Sequence, residues 1–186
     1  MIPTKIALLT DSSADLRWEG ARENNIFFVP LRILCQDGEY LDGVNIGGQD
    51  IYKRLHNGEL PQTSLPRVED FSAKLHEIFA MGFDGVIAVM LSSGLSGTYN
   101  LARIVSEECN AQGYQMRVFD SLSGALGQGM TVLQLAEDIK NGMGWEELVE
   151  HRAPQLIANT FPFFSVDTLE YLQKGGRIGK ISAMAG

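Results

Sequence analysis

A chain of 186 residues, 45% hydrophobic and 20% charged, has the composition of an ordinary globular protein, which excludes wholesale disorder and leaves room for one domain and part of a second. Fifteen basic and 23 acidic residues leave a net charge of −8, which argues against a nucleic-acid or anionic-membrane footprint. Cys35 and Cys109 make no CxxC pair, the longest apolar run, Val86–Leu91, is far shorter than the ~20 residues of a membrane span, and the N-terminus has no signal-peptide pattern. The expectation is a reduced, cytoplasmic protein with no transmembrane segment, in which both cysteines serve as buried small hydrophobes.

In chain order, Lys5–Thr10 is a short apolar run that predicts a buried strand, turned by Thr10-Asp11-Ser12-Ser13. Asp15–Asn25 predicts a helix capped by Ser13 or Asp15. Ile26–Cys35 is β-rich and is broken at Gln36-Asp37-Gly38-Glu39, after which Tyr40-Leu41-Asp42-Gly43 predicts the return strand of a hairpin. Asp50–His56 predicts a short helix stopped by Asn57-Gly58, and the two prolines of Leu60–Pro66 predict a loop.

Val68, Phe71, Leu75, Ile78 and Phe79 recur at helical spacing, so Arg67–Met81 predicts an amphipathic helix ended by Gly82. Gly85–Leu91 is apolar without alternation, the pattern of a strand covered on both faces in a parallel sheet. Ser92–Gly97 turns into a helix reaching about Asn110, and Gln115–Phe119 predicts a strand ending at Asp120-Ser121. Val132, Leu135, Ala136 and Ile139 mark a further helix, and Trp145, Leu148, Val149 and Leu156 another, interrupted by Pro154. Phe161–Val166 predicts a strand and Asp167–Lys174 a short helix stopped by Gly175-Gly176.

Strands alternating with helices predict a three-layer α/β domain with a largely parallel sheet over residues 1–155, in which Lys5–Thr10, Gly85–Leu91 and Gln115–Phe119 are neighbours. Residues 156–186 read as the beginning of a second α/β domain.

Three strands run into hydroxyl-rich loops: Thr10-Asp11-Ser12-Ser13, Ser92-Ser93-Gly94 and Asp120-Ser121-Leu122-Ser123-Gly124. Each reads either as an ordinary helix cap or as part of an anion site at the carboxyl edge of the sheet, where N–H groups and hydroxyls converge and Gly94 and Gly97 admit a close ligand. Familiar catalytic patterns fail: the Gly175–Ile181 stretch lacks one residue and the hydroxyl of a P-loop, and Gly94-Leu95-Ser96-Gly97 is one residue short of a nucleophile elbow. His56, His76 and His151 lack metal-ligand spacing and read as solvated positions on helices, so no metal is expected. Asp11 and Asp120 are either a carboxylate pair for acid–base work or two turn carboxylates. An enzyme or binding protein for a phosphorylated small molecule, using these same loops, is the alternative function.

These clusters, in this order, resemble the DegV family of bacterial fatty-acid-binding proteins, also called FakB-type. The matching stretches are Thr10–Leu16, Val29-Pro30-Leu31 with Asp42-Gly43, Gln62–Pro66, Ser92–Asn100, Val118–Ser121 and Leu169–Gly179. The resemblance implies a two-domain binding protein, without cofactor and not itself a catalyst, that holds a long-chain fatty acid between its domains. It further implies that Thr63 and Ser93 bind the carboxylate, with Ser64, Ser92, Gly94 and Ser96 as neighbours in the same loops. The bound acid would be presented to a partner fatty-acid kinase for acyl-phosphate formation and phospholipid synthesis, with Arg177 serving the kinase step. Members resembling this chain continue well beyond the Gly-Gly-Arg-Ile-Gly string into the lipid-covering domain, so the chain reads as truncated within it or as a naturally short relative. Leu65 stands where many members have Gln.

Overall fold

A computed structural model describes residues 2–16, 21–162, 165, 168–177 and 179. Four parallel strands form the central sheet: β1 (Ile6–Asp11), β2 (Ile26–Val29), β6 (Gly85–Met90) and β7 (Gln115–Asp120), in the order β2-β1-β6-β7. The three strands expected to be neighbours are so, with Leu8 opposite Ile87 and Ile87 opposite Arg117. The unbroken apolar runs have the expected cause. Every residue of β1, β2 and β6 is buried because helices cover both faces.

The period-two alternation of strand side chains divides the core into two. Ala7, Leu9, Val86 and Ala88 face α2 (Val68–Ala80) and α3 (Thr98–Ala111) through Phe71, Leu75, Ile78, Ala102 and Val105. Ile6, Leu8, Ile87 and Val89 face α4 (Ala125–Lys140) and a later helical run through Val132, Leu135, Leu148 and Val149. That run is α5 (Trp145–Glu147), a π-helical turn (Leu148–Arg152) and α6 (Ala153–Ala158), the turn falling just before Pro154, which has no N–H to donate. Gly129 lets α4 settle against the β1 loop: a Cβ there would lie 2.3 Å from the Ala14 carbonyl oxygen.

A second, antiparallel sheet consists of β3 (Arg32–Cys35), β4 (Gly38–Leu41) and β5 (Gln62–Ser64), with β3 in the middle. Two expectations change here. The Ile26–Cys35 run is not one strand: after Val29 the chain leaves the parallel sheet at Pro30-Leu31 and enters the other sheet at Arg32. The segment predicted as a pure loop contains β5, which pairs with β3 between its two prolines. The β3–β4 hairpin is as expected, closed by Gln36-Asp37 with Gly38 at φ +154. Helix α1 (Gly48–His56) joins the two regions of this sheet.

The Asp15–Asn25 helix is replaced, among the described residues, by two 3₁₀ turns at Ser12–Ala14 and Arg22–Asn24, with Asp15 and Asn25 in the left-handed region that ends each; residues 17–20 lie outside the described residues. The expected Phe161–Val166 strand falls largely outside them too. The following helix, α7 (Glu170–Lys174), begins three residues later than Asp167. His56, His76 and His151 are all exposed. Cys109 is buried, and burial pushes its thiol up to about 11, whereas Cys35, at the end of β3, is only half-buried, against the expectation that both are buried.

Candidate functional site

The chain passes from β1 to β2 on one side and later returns to place β6 on the other, so β1 and β6 form the switch point of the sheet. Crevices beyond the carboxyl ends of strands at such points are the usual ligand sites of open α/β sheets. A cleft of about 1170 Å³ opens there. Its lining includes Ser13 after β1, Leu91, Ser93, Leu95 and Ser96 after β6, the Pro61–Leu65 segment, and Tyr171, Leu172, Gly175 and Arg177 from the far end of the chain. Ile51 and Leu55 of α1, with Leu31, Leu60, Leu65, Leu91 and Leu95, give it apolar walls.

A buried polar network fixes the floor. Asp11 accepts from Leu91 N at 2.8 Å and Ser13 N at 3.0 Å, and also from the Ser13 hydroxyl. Ser13 Oγ also lies 3.0 Å from Gln128 Oε1, and Gln128 Nε2 donates to Thr10 Oγ1 at 2.9 Å. Burial holds the Asp11 carboxyl above its usual value, against the lowering pull of the Leu91 and Ser13 donors. Burial likewise raises Asp42, which lines the cleft, opposed by a hydrogen bond from Ser12.

Asp120 Oδ1 accepts from Ser93 N at 3.1 Å and Leu122 N at 3.0 Å. The Asp11–Asp120 pair is therefore two turn carboxylates, each occupied by an N–H of its own loop and by one of the loop after β6, on strands two spacings (about 9.5 Å) apart.

The loop after β6 uses its own N–H groups. Ser93 N goes to Asp120, Gly94 N to Ser92 Oγ at 3.2 Å, and Leu95 N and Ser96 N to Ser92 O at 2.8 and 3.0 Å. An incoming anion meets hydroxyls here rather than a row of open N–H groups, which removes the donors that a phosphate-binding loop would need.

The predicted residues separate accordingly. Thr63, Ser64, Ser93, Ser96 and Arg177 line the same cleft. Ser92 is buried behind it and shapes the turn, and Gly94 is outside the lining. Ser64 Oγ is taken by Arg32 Nη2 at 2.9 Å, and Ser96 Oγ by Thr98, at 2.9 Å from the Thr98 hydroxyl. Thr63 and Ser93 are exposed, and neither hydroxyl has a partner among the described residues.

Arg177 is half-buried in the cleft wall rather than fully exposed, because its Nη1 folds back to donate to Gly175 O at 2.8 Å. Among the described residues it makes no ion pair. Arg32 is the residue that sequence reasoning passed over: a single Arg in a β-rich run carries no signal until β5 is known to lie beside it.

The family model for DegV, described as an uncharacterised protein family, matches residues 5–186. The chain belongs to the DegV family. A DegV domain-containing protein of Clostridium acetobutylicum is 40% identical over 182 residues, covering 98% of this chain and 64% of that protein. A DegV family protein from Thermus thermophilus, described by its fatty-acid binding, superposes with a TM-score of 0.83 at 32% identity over 97% of this chain and 63% of its own. DegV of Bacillus subtilis, described as a fatty acid binding protein, superposes at 0.81 with 31% identity over 98% of this chain and 64% of its own. The chain thus spans a little under two thirds of the DegV relatives it matches. No helix among its described residues is long and apolar enough to cross a membrane.

Proposed function

We propose that this DegV chain binds a long-chain fatty acid in the switch-point cleft, with the carboxylate on the hydroxyls of Thr63 and Ser93. The observation that carries this reading is the pairing of two unoccupied hydroxyls with leucine-rich walls in one cleft. A carboxylate leaving water needs donors, and hydrogen bonds to a charged acceptor are the strong kind. Each methylene removed from water contributes roughly 0.8 kcal/mol, so affinity comes mainly from the tail and orientation from the hydroxyls.

The fatty-acid ligands of the Thermus and Bacillus relatives support the same ligand class here. In this reading the protein is a cytoplasmic carrier rather than a catalyst, and residues 156–186 begin the domain that covers the acyl chain. The bound acid is handed to a fatty-acid kinase for acyl-phosphate formation and phospholipid synthesis. Arg177 serves that transfer; its guanidinium has no acidic partner among the described residues and suits a phosphate.

Mass spectrometry of an organic extract of the purified protein tests the ligand class. A stoichiometric long-chain acid is expected. A phosphorylated metabolite, or no ligand together with no uptake of added hexadecanoate, overturns the reading. Arg177→Ala is expected to retain the acid and lose acyl-phosphate formation with the kinase; loss of the acid instead would place Arg177 in the head-group site.

A further inference from the structure

We infer that Arg32 is a positioning residue for the carboxylate site, holding the Thr63 segment against β3 so that the Thr63 hydroxyl faces Ser93. This rests on the fatty-acid reading and names the device that sets its head-group geometry.

Register creates the contact. Arg32 is the cross-strand partner of Ser64 in β5 and of Leu41 in β4. Side chains of directly opposed residues share a face, so the Arg32 side chain meets Ser64. Its guanidinium donates in three directions: Nε to Leu65 O at 2.6 Å, Nη2 to Ser64 Oγ at 2.9 Å, and Nη1 to Glu39 at 3.0 Å.

Glu39 lies diagonally on the same face and is also paired with Arg67, at the entry to α2. One half-buried guanidinium therefore spans β4 and the exit of β5. Only a planar fork presents donors in these directions at once; an ammonium is a single point.

The clamp matters because β5 is otherwise weakly held. It has three polar residues, pairs on one side only, and sits between Pro61 and Pro66. Beyond the clamp, Leu65 reaches across to the β6 loop, where its Cδ1 comes within 3.4 Å of where a Gly97 Cβ would stand. The peptide that Arg32 holds by its carbonyl thus bridges the two hydroxyl loops. Asp120 does the corresponding work on the other side through Ser93 N. The hydroxyls of Thr63 and Ser93 are left without partners among the described residues, as a ligand site requires.

The test compares hexadecanoate with hexadecanol by calorimetric titration of the full chain and its Arg32→Met and Arg32→Lys variants. Met keeps the stem and removes every donor. The expected result is about tenfold weaker acid binding in Arg32→Met, the size of one mis-set charge-assisted hydrogen bond, with hexadecanol binding unchanged and Arg32→Lys in between. Equal loss for acid and alcohol, or no loss for either, overturns the inference.

Amide hydrogen exchange supplies a readout independent of the ligand. Faster exchange confined to residues 62–66 in Arg32→Met supports the clamp, and unchanged exchange there overturns it. If the unmodified protein binds neither probe, the fatty-acid reading fails while the exchange result still decides the clamp.

Discussion

In the parallel sheet, every residue of β1, β2 and β6 is buried; in the antiparallel sheet, only Ile33 is. The first is held by apolar area against helices on two faces, where each fully buried Leu, Ile or Phe contributes roughly 1.5–3 kcal/mol. The second is tied by a charged web. Arg54 pairs with Asp37 at 2.8 Å and Glu59 at 3.0 Å and lies over Tyr40, while Arg32 and Arg67 share Glu39.

Each sheet supplies one of the two unoccupied hydroxyls, Ser93 from the rigid side and Thr63 from the charged side. The proposed site thus draws one wall from a helix-covered sheet and the other from a sheet tied by charged groups. Low-stability elements are where ligand-linked movement is found in general.

Truncating the apolar core gives the largest effect. Phe71→Ala is expected to cost about 3–5 kcal/mol in urea unfolding, because the ring is wholly buried between α2 and the sheet. A loss near zero would show that the two-layer division of the core is wrong. Gly129→Ala comes next, at about 1–3 kcal/mol, since the nearest atom to the new methyl is the Ala14 carbonyl oxygen, which belongs to the backbone and cannot swing away.

The Asp11 carboxyl, held above 3.8 by burial, makes a pH-dependent contribution of defined sign. Between that value and its raised one, the folded state keeps a proton that the unfolded chain has released, so stability falls as pH rises through the window. Asp11→Asn has no such proton. Wild-type stability relative to Asp11→Asn, followed by denaturant midpoint, is expected to fall as pH rises above the ordinary carboxylate value. A difference of opposite slope would mean that the Leu91 and Ser13 donors outweigh burial.

Arg54→Met gives the smallest global effect. It is expected to leave the urea midpoint of the whole protein nearly unchanged while exchange accelerates in β3 and β4 alone. A matching global loss would mean that the two sheets unfold as one unit.

The contrast between the sheets also decides what the sequence revealed. Val86–Leu91 and Ile6–Leu9 were legible because full burial on two faces writes an unbroken apolar run. Gln62-Thr63-Ser64 was not, because a polar edge strand flanked by prolines has the composition of a loop, and only pairing with β3 makes it a strand. Pro30 was visible, but not that the chain changes sheets there. Just before Asp15, the hydrogen bond from Ser13 N to the Asp11 carboxylate closes a tight turn at Ser12–Ala14 that Asp15 ends in the left-handed region.

The three hydroxyl-rich loops could be read as caps or as an anion site, and the hydrogen bonds assign the turn role to some of their residues while leaving the Ser93 hydroxyl open in the cleft. Ser92 works within its own turn, and Asp11 and Asp120 each tie their own turn to the loop after β6. The choice of Thr63 and Ser93 came from the family resemblance, since spacing alone does not distinguish them from Ser64 and Ser96. The distinction appears only when Arg32 and Thr98 are seen to occupy the other two hydroxyls.

The most direct test of the central claim is calorimetric titration of hexadecanoate into the delipidated protein and its Thr63→Ala/Ser93→Ala double variant. Two charge-assisted hydrogen bonds at about 1.5 kcal/mol each predict an affinity about a hundredfold lower in the double variant, with an unchanged thermal midpoint. Equal affinity in the two proteins would place the carboxylate elsewhere and contradict the account.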